Sequence, residues 1–200
     1  MEITKTERLK KLENSRVLLR ILSTSDVDNL VHIALDEQAL WKFTLHKINS
    51  RKKLLSYIDS AISETKKGIS IAYSVYDKNT GEHAGSTRIY DIDLVNKTCA
   101  IGFTWYGKSF QGTGLNVNCK FLLFEMAFET LQMERVQFRV DKENIRSINA
   151  IKSLGCKEEG VLRSNMYRPN GERRDSMILS ILKEEWYSSV KHNLKRKITT

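Results

Sequence analysis

The stretch FQGTGLNVNCKFLLFEMAFETL, Phe110 to Leu131, opens as a glycine-punctuated loop and continues as an apolar-faced helix. Leu115, Cys119, Leu122 and Met126 recur at steps of three and four, and Leu123, Ala127 and Leu131 widen the stripe. A strand-like run ending at Trp105 precedes it. Strand, glycine loop and helix N-terminus together make a phosphate cradle. The glycines let the backbone approach closely, and the first free N–H groups and the helix dipole face the anion. On the loop alone, an ordinary tight turn into a helix remains the alternative. Two nucleotide patterns fail. No Gly-Lys-Ser/Thr follows, and Val117 stands where a dinucleotide fold needs its third glycine.

Working outward from the loop, three strands precede it. Ile69, Ile71, Tyr73 and Val75 alternate over 69–76, residues 83–92 return after the Asn79-Thr80-Gly81 turn, and Ile101, Phe103 and Trp105 alternate over 98–106. Short turns join them, so they form an antiparallel meander. Earlier still, 17–22 reads as a strand, Ser25 or Asp26 can cap a helix through Leu35, and 50–67 is a basic amphipathic helix. Residues 40–48 have no clear pattern, and 1–15 read as a ragged lead-in. After Leu131, Val136, Phe138 and Val140 mark a strand, Asn144 caps a short helix ending at Leu154-Gly155, and strands 156–167 and 173–182 turn at Pro169-Asn170-Gly171. A helix from Lys183 closes the chain. The order predicts one mixed α/β sheet with a parallel section near the middle, where a helix links two strands.

Two hundred residues suit one domain, expected over 1–200 with a core at about 10–188 and terminal extensions at 1–9 and 189–200. The polar N-terminus is no signal peptide and no apolar run reaches membrane-spanning length, so a cytoplasmic protein without membrane contact is expected. Cys99, Cys119 and Cys156 have no metal-type spacing and read as reduced packing residues. The net charge of +9 suits an acidic ligand, a nucleoprotein partner or simply solubility; part of it sits in a polar tail with Lys191, Lys195, Arg196 and Lys197, read as a solvated frayed end. The absence of helix-turn-helix and RNP-type signatures argues against direct nucleic-acid binding. Monomer and homodimer both stay open.

Gln111-Gly112-Thr113-Gly114-Leu115-Asn116 resembles the Gln/Arg-x-x-Gly-x-Gly/Ala pyrophosphate loop of the GNAT N-acetyltransferases. The run from Asn144 through Ser147 to Leu154-Gly155-Cys156 is similar to that family's second motif, and the likeness is nearest its RimJ/RimL-like branch. The resemblance covers roughly 10–188. It implies a GNAT fold, an α+β arrangement with a mostly antiparallel sheet of about seven strands, and acetyl-CoA as cosubstrate. It also implies direct attack by an amine in a ternary complex. Residues 112–116 would hold the diphosphate, with Gln111 at the loop's start. The strand around Phe103, Thr104 and Trp105 would splay from its neighbour and pair with the pantetheine arm, with a backbone N–H there facing the oxyanion. Ser147 would protonate the leaving thiolate, and Asn144 would bond the arm or a water; both also have a purely helix-start reading.

The chain departs from the pattern at Asn116, where the family prefers a small residue, and Gln111 brings no fixed charge. Lys108 and Lys120 are the expected compensation. The family's glutamate base would fall near Met166, which takes no proton, leaving Glu158, Glu159, Asp91, Asp93 and His83 as alternatives. Exposing a free amine at pH 7 costs about 1 kcal/mol for an α-amine and about 4.6 kcal/mol for lysine. A missing base therefore favours an α-amine, or a small-molecule amine of lowered pKa, as acceptor, and a protein N-terminal amine is the leading expectation. Two readings compete: a small-molecule amine acetyltransferase of antibiotic or polyamine type, and a non-catalytic acyl-CoA-binding module.

Overall fold

The computed structural model describes residues 9–199. Eight strands form one sheet in the order β1-β2-β3-β4-β5-β6-β8-β7. They are β1 (Leu12–Glu13), β2 (Val17–Ile21), β3 (Ser70–Asp77), β4 (Glu82–Asp93), β5 (Thr98–Tyr106), β6 (Arg135–Asp141), β7 (Lys157–Tyr167) and β8 (Arg173–Leu182). Every neighbouring pair is antiparallel except β5 and β6. The count exceeds expectation by β1, a two-residue strand inside the presumed lead-in. Two residues carry no readable alternation, but Leu12 is buried and Glu13 pairs with Leu18.

Helices α1 (Asp26–Asp36) and α2 (Arg51–Lys66) follow β2 and pack together. Ser50 caps α2 by accepting from the Lys53 N–H. Neither Ser25 nor Asp26 caps α1 through its side chain: Ser25 holds the N-cap position without a side-chain bond, and the buried Asp26 carboxylate in the first turn accepts from the Ser23 N–H at 2.8 Å and pairs with Arg20 at 2.7 Å. The unpatterned segment becomes a 3₁₀ turn, Gln38–Trp41, and an irregular connection to α2. Its apolar residues point inward singly, so no period shows. Trp41 packs on Trp105 of β5 with ring centroids 5.2 Å apart and donates to the Ala34 carbonyl at 2.9 Å.

Helix α3 (Leu115–Glu125) runs into one wide π-type turn, Met126–Thr130. Short α4 (Ile145–Lys152) follows β6. The chain closes with α5 (Lys183–Glu185), a second π turn at Trp186–Val190, and α6 (Lys191–Thr199). The presumed frayed tail is therefore helical: Leu194 is buried and Lys197 donates to the Ser153 carbonyl. One apolar residue per turn was enough to dock a segment whose composition reads as solvated. Trp186 is fully buried among Phe121, Phe124 and Phe128. All three cysteines are free and buried. Among the described residues no helix is long and apolar enough to cross a membrane.

Alternation along β4 assigns the two faces. Thr87 touches Lys120 of α3, while the next residue, Arg88, lies over the Tyr57 ring of α2. Successive strand residues point to opposite faces, so α3 and α2 cover opposite sides of the sheet.

Candidate acyl-transfer site

Strands β5 and β6 pair only from Thr98–Arg135 to Ala100–Gln137. Beyond that, β6 stays paired with β8 up to Asp141, while β5 continues to Tyr106 without β6. The parting coincides with a bulge. Ser86 faces Trp105 and Arg88 faces Gly102, so Thr87 alone opposes both Phe103 and Thr104. Phe103 takes a positive φ of 49°. An extra residue bends its strand and re-aims the side chains beside it, a costly conformation for a bulky residue that concentrates at functional sites. The sequence-expected splay at Phe103, Thr104 and Trp105 is thus present, on the free edge of β5.

The loop 111–116 sits at the mouth of this opening. Gly112 and Gly114 have φ of 79° and 85°, and a Cβ on either would meet nothing within 4 Å. The loop is open to an occupant, and the first N–H groups of α3 lie at its end. Thr113 donates from its hydroxyl to the Phe110 carbonyl at 2.8 Å, and Gln111 donates to the Tyr106 carbonyl at 2.7 Å. Asn118 fastens the loop from the helix, donating to the Gly114 carbonyl at 3.1 Å and accepting from Asn14 at 2.9 Å. Leu115 is buried, and half-buried Asn116 keeps its amide uncommitted in the first turn. Such a backbone fits a diphosphate.

Among the described residues, the cations hydrogen-bonded to the loop are not Lys108 and Lys120. Arg146 of α4 donates to the Gln111 side chain at 2.6 Å, and Arg16, paired with buried Asp77 at 2.9 Å, reaches the Thr113 hydroxyl at 3.4 Å. Lys108 is exposed and its backbone N–H donates to Glu37, while Lys120 turns into the core. Asn144 caps α4 by accepting from the Ser147 N–H at 3.2 Å. Among the described residues the Ser147 hydroxyl has no hydrogen-bond partner.

None of the alternative bases stands free at the opening. Glu159 is forked onto Arg135, bonded by Ser180, and held down to about 2 by the Arg135 hydrogen bonds. Glu158 pairs with Lys152. Both belong to the closed end of β7, where Glu158 faces Leu179. Asp91 pairs with Arg139, Asp93 caps the 93–96 turn, and His83 bonds Ser74 and packs on Tyr76. Met166 pairs with Arg174 beyond a bulge in β7.

The residue that does reach the opening is His46, in the segment without a sequence pattern. Its ring lies 5.3 Å from that of Tyr57 and 6.0 Å from that of Phe103. Desolvation of this covered ring face, reinforced by Arg88, lowers its pKa below the usual histidine value. Beneath it, Arg88 lies 4.4 Å from the Phe103 centroid and 4.5 Å from that of Tyr57. Arg174 ties the same face together by donating to the Phe43 carbonyl at 3.2 Å.

The family of acetyltransferase (GNAT) domains matches residues 16–157, a span that holds the meander, the loop and the α4 motif. The chain belongs to the GNAT acetyltransferase family. Acetyl-CoA is the cosubstrate of these N-acetyltransferases. A relative named "Putative ribosomal N-acetyltransferase YdaF", from Bacillus subtilis (strain 168), is 28% identical over 182 residues, 86% of this chain and 94% of the relative. That name agrees with the RimJ/RimL-like resemblance. A GCN5-related N-acetyltransferase from Brucella melitensis superposes with a TM-score of 0.87 at 25% identity, over 96% of this chain and 86% of its own. Mycobacterium smegmatis RimJ, solved with CoA-disulfide, shares the fold at a TM-score of 0.80 and 22% identity, over 94% and 92% of the two chains. For this GNAT chain, His46, Arg146, Arg16 and Asn118 escaped sequence reasoning. A lone histidine in an unpatterned segment and an arginine two residues past a cap were the only traces.

Proposed function

We propose that the protein transfers an acetyl group from acetyl-CoA to a primary amine, with a protein N-terminal amine as the acceptor. The observation that carries this is the parting of β5 from β6 beside an open glycine loop. Residues Gln111, Gly112, Thr113, Gly114, Leu115 and Asn116 hold the diphosphate on backbone N–H groups, with Arg146 and Arg16 adding charge. Phe103, Thr104 and Trp105 offer the free β5 edge to the pantetheine arm. Acetyl-CoA supplies an acetyl group activated as a thioester. Ser147 donates its free hydroxyl toward the departing sulfur, and Asn144 fixes the start of α4 so that this hydroxyl points there.

His46 takes the amine proton, directly or through one water. A lowered pKa leaves it neutral at pH 7, the form a base requires. The acceptor enters over the α2 face. Arg88, Arg139 and Arg174 stand on or beside that face, against which Glu64 and Asp91 are the paired acids. This balance opposes a polyamine and suits a singly charged α-amine, which needs about 1 kcal/mol to reach its free base. The ribosomal N-acetyltransferase name of the Bacillus relative supports the same choice, and a protein N-terminus places the work in the cytoplasm. The test is release of free CoA from acetyl-CoA across a panel of peptides with free N-termini, N-blocked lysine peptides, and spermidine. Peptide α-amines should react fastest; lysine peptides reacting at least as fast would refute the choice of acceptor.

A further inference from the structure

Lys120 lies in the second turn of α3 with only 3% of its surface exposed. Its ammonium donates to the Thr104 hydroxyl at 2.7 Å and the Thr87 hydroxyl at 3.1 Å. Among the described residues no carboxylate bonds or pairs with it. The titratable neighbours are Cys119 on its own helix and Cys156 beyond α4, with the buried Tyr106 of β5 beside Cys119. Burial raises all three, so each is protonated and uncharged at neutral pH. An ammonium without a counter-charge is expensive to bury, and a methionine would fill a similar volume without that cost. Packing therefore gives no reason for a lysine here.

Its two partners do. Thr87 and Thr104 face each other across the β5 bulge, their hydroxyl oxygens 2.7 Å apart. An ammonium can only donate, so both hydroxyls accept from it and turn their own protons elsewhere. Thr104 donates to the Gly102 carbonyl at 3.3 Å, and Thr87 donates to the Thr104 oxygen at 2.7 Å. The ammonium thus closes a hydrogen-bonded knot around Phe103, where β6 has just left β5.

We propose that Lys120 is a positioning residue for acyl transfer: through Thr104 it locks the β5 bulge and keeps a positive charge behind the free edge. Transfer to an amine builds negative charge at that edge, and a preorganised charge stabilises it without reorganising. The proposal rests on the acetyltransferase reading above. Burial lowers the Lys120 pKa to about 8, so its charge is lost at moderately alkaline pH.

The test compares wild type with Lys120→Met and Thr104→Val. In Lys120→Met, kcat should fall about 10- to 100-fold, while KM for acetyl-CoA stays within about threefold. The alkaline limb of the wild-type pH profile near 8 should vanish. A second readout uses the protein alone. The folded pKa of about 8 lies below the unfolded value of 10.5, so wild-type stability rises with pH across that window, and the variant lacks this rise. Lys120→Met should therefore melt at or above the wild-type temperature at pH 7, with the advantage shrinking by pH 10. Thr104→Val keeps the charge but severs its path to β5, and should lose most of the same kcat factor. Unchanged kcat in an active enzyme, or a loss of kcat matched by lost acetyl-CoA binding or lower melting at pH 7, overturns the proposal and leaves the acetyltransferase reading standing. A wild-type protein with no acetyl-CoA-dependent transfer sinks both.

Discussion

Two cations are buried against the same bulge from opposite faces of the sheet, and their surroundings differ. Arg88, on the α2 face, is sandwiched between Tyr57 and Phe103 and reaches Glu64 at 3.4 Å. Rings and a carboxylate compensate its burial, so it can stabilise the fold. Lys120, on the α3 face, has two hydroxyls and no acid. The contrast separates a cation that holds the sheet together from one whose burial the fold tolerates. In the proposed reading it also orders the chemistry around Phe103, with the acceptor over α2 and the diphosphate at the head of α3.

The largest effect that would break this contrast lies on the Arg88 side. Arg88→Met removes a guanidinium stacked on two rings and leaves Glu64 without its partner. Urea unfolding should show a loss of about 2–4 kcal/mol. A neutral result would place both cations in one class. Next comes His46→Gln, which keeps the size of the side chain and removes the proposed base. We expect kcat/KM for a peptide amine to fall about 10- to 100-fold at pH 7. The wild-type acid limb should lie below the ordinary histidine range, since desolvation lowers the folded pKa, and it should disappear in the variant. Retention of that limb would assign it to another group.

Smaller effects sharpen the α3 side. Gly114→Val puts a side chain into open space at φ 85°. It should weaken acetyl-CoA binding about tenfold by calorimetry and cost about 1 kcal/mol of stability through backbone strain alone. Equal affinity would move the diphosphate away from this loop. Arg146→Ala should weaken binding only about threefold, and the deficit should shrink in high salt, because an exposed cation acts through a screened field. A salt-independent loss would mean that Arg146 acts by holding Gln111.

Local patterns carried much of this architecture. Strands β5 and β8 fall on the residues their alternation marks, and Asn144 caps the helix that its position promised. The glycine pair could be read because a positive φ demands those residues. What stayed hidden depends on contacts between distant segments. The bulge at Phe103 has no compositional mark; it exists because Thr87 on another strand faces two residues. His46 belongs to a segment positioned by Trp41 on Trp105, through side chains that follow no period. Lys120 looked like a surface lysine beside a phosphate loop, and only the helix register turned it inward. The closing helix resembled solvent-exposed tail because Leu194 and Ile198 are its few apolar anchors.

The measurement that bears most directly on the account is the initial rate of CoA release with saturating acetyl-CoA and a peptide carrying a free N-terminus, set beside the same peptide with that terminus blocked. Turnover is expected with the free terminus and none with the blocked one. Equal rates with both peptides, or no CoA release with any amine, would contradict it.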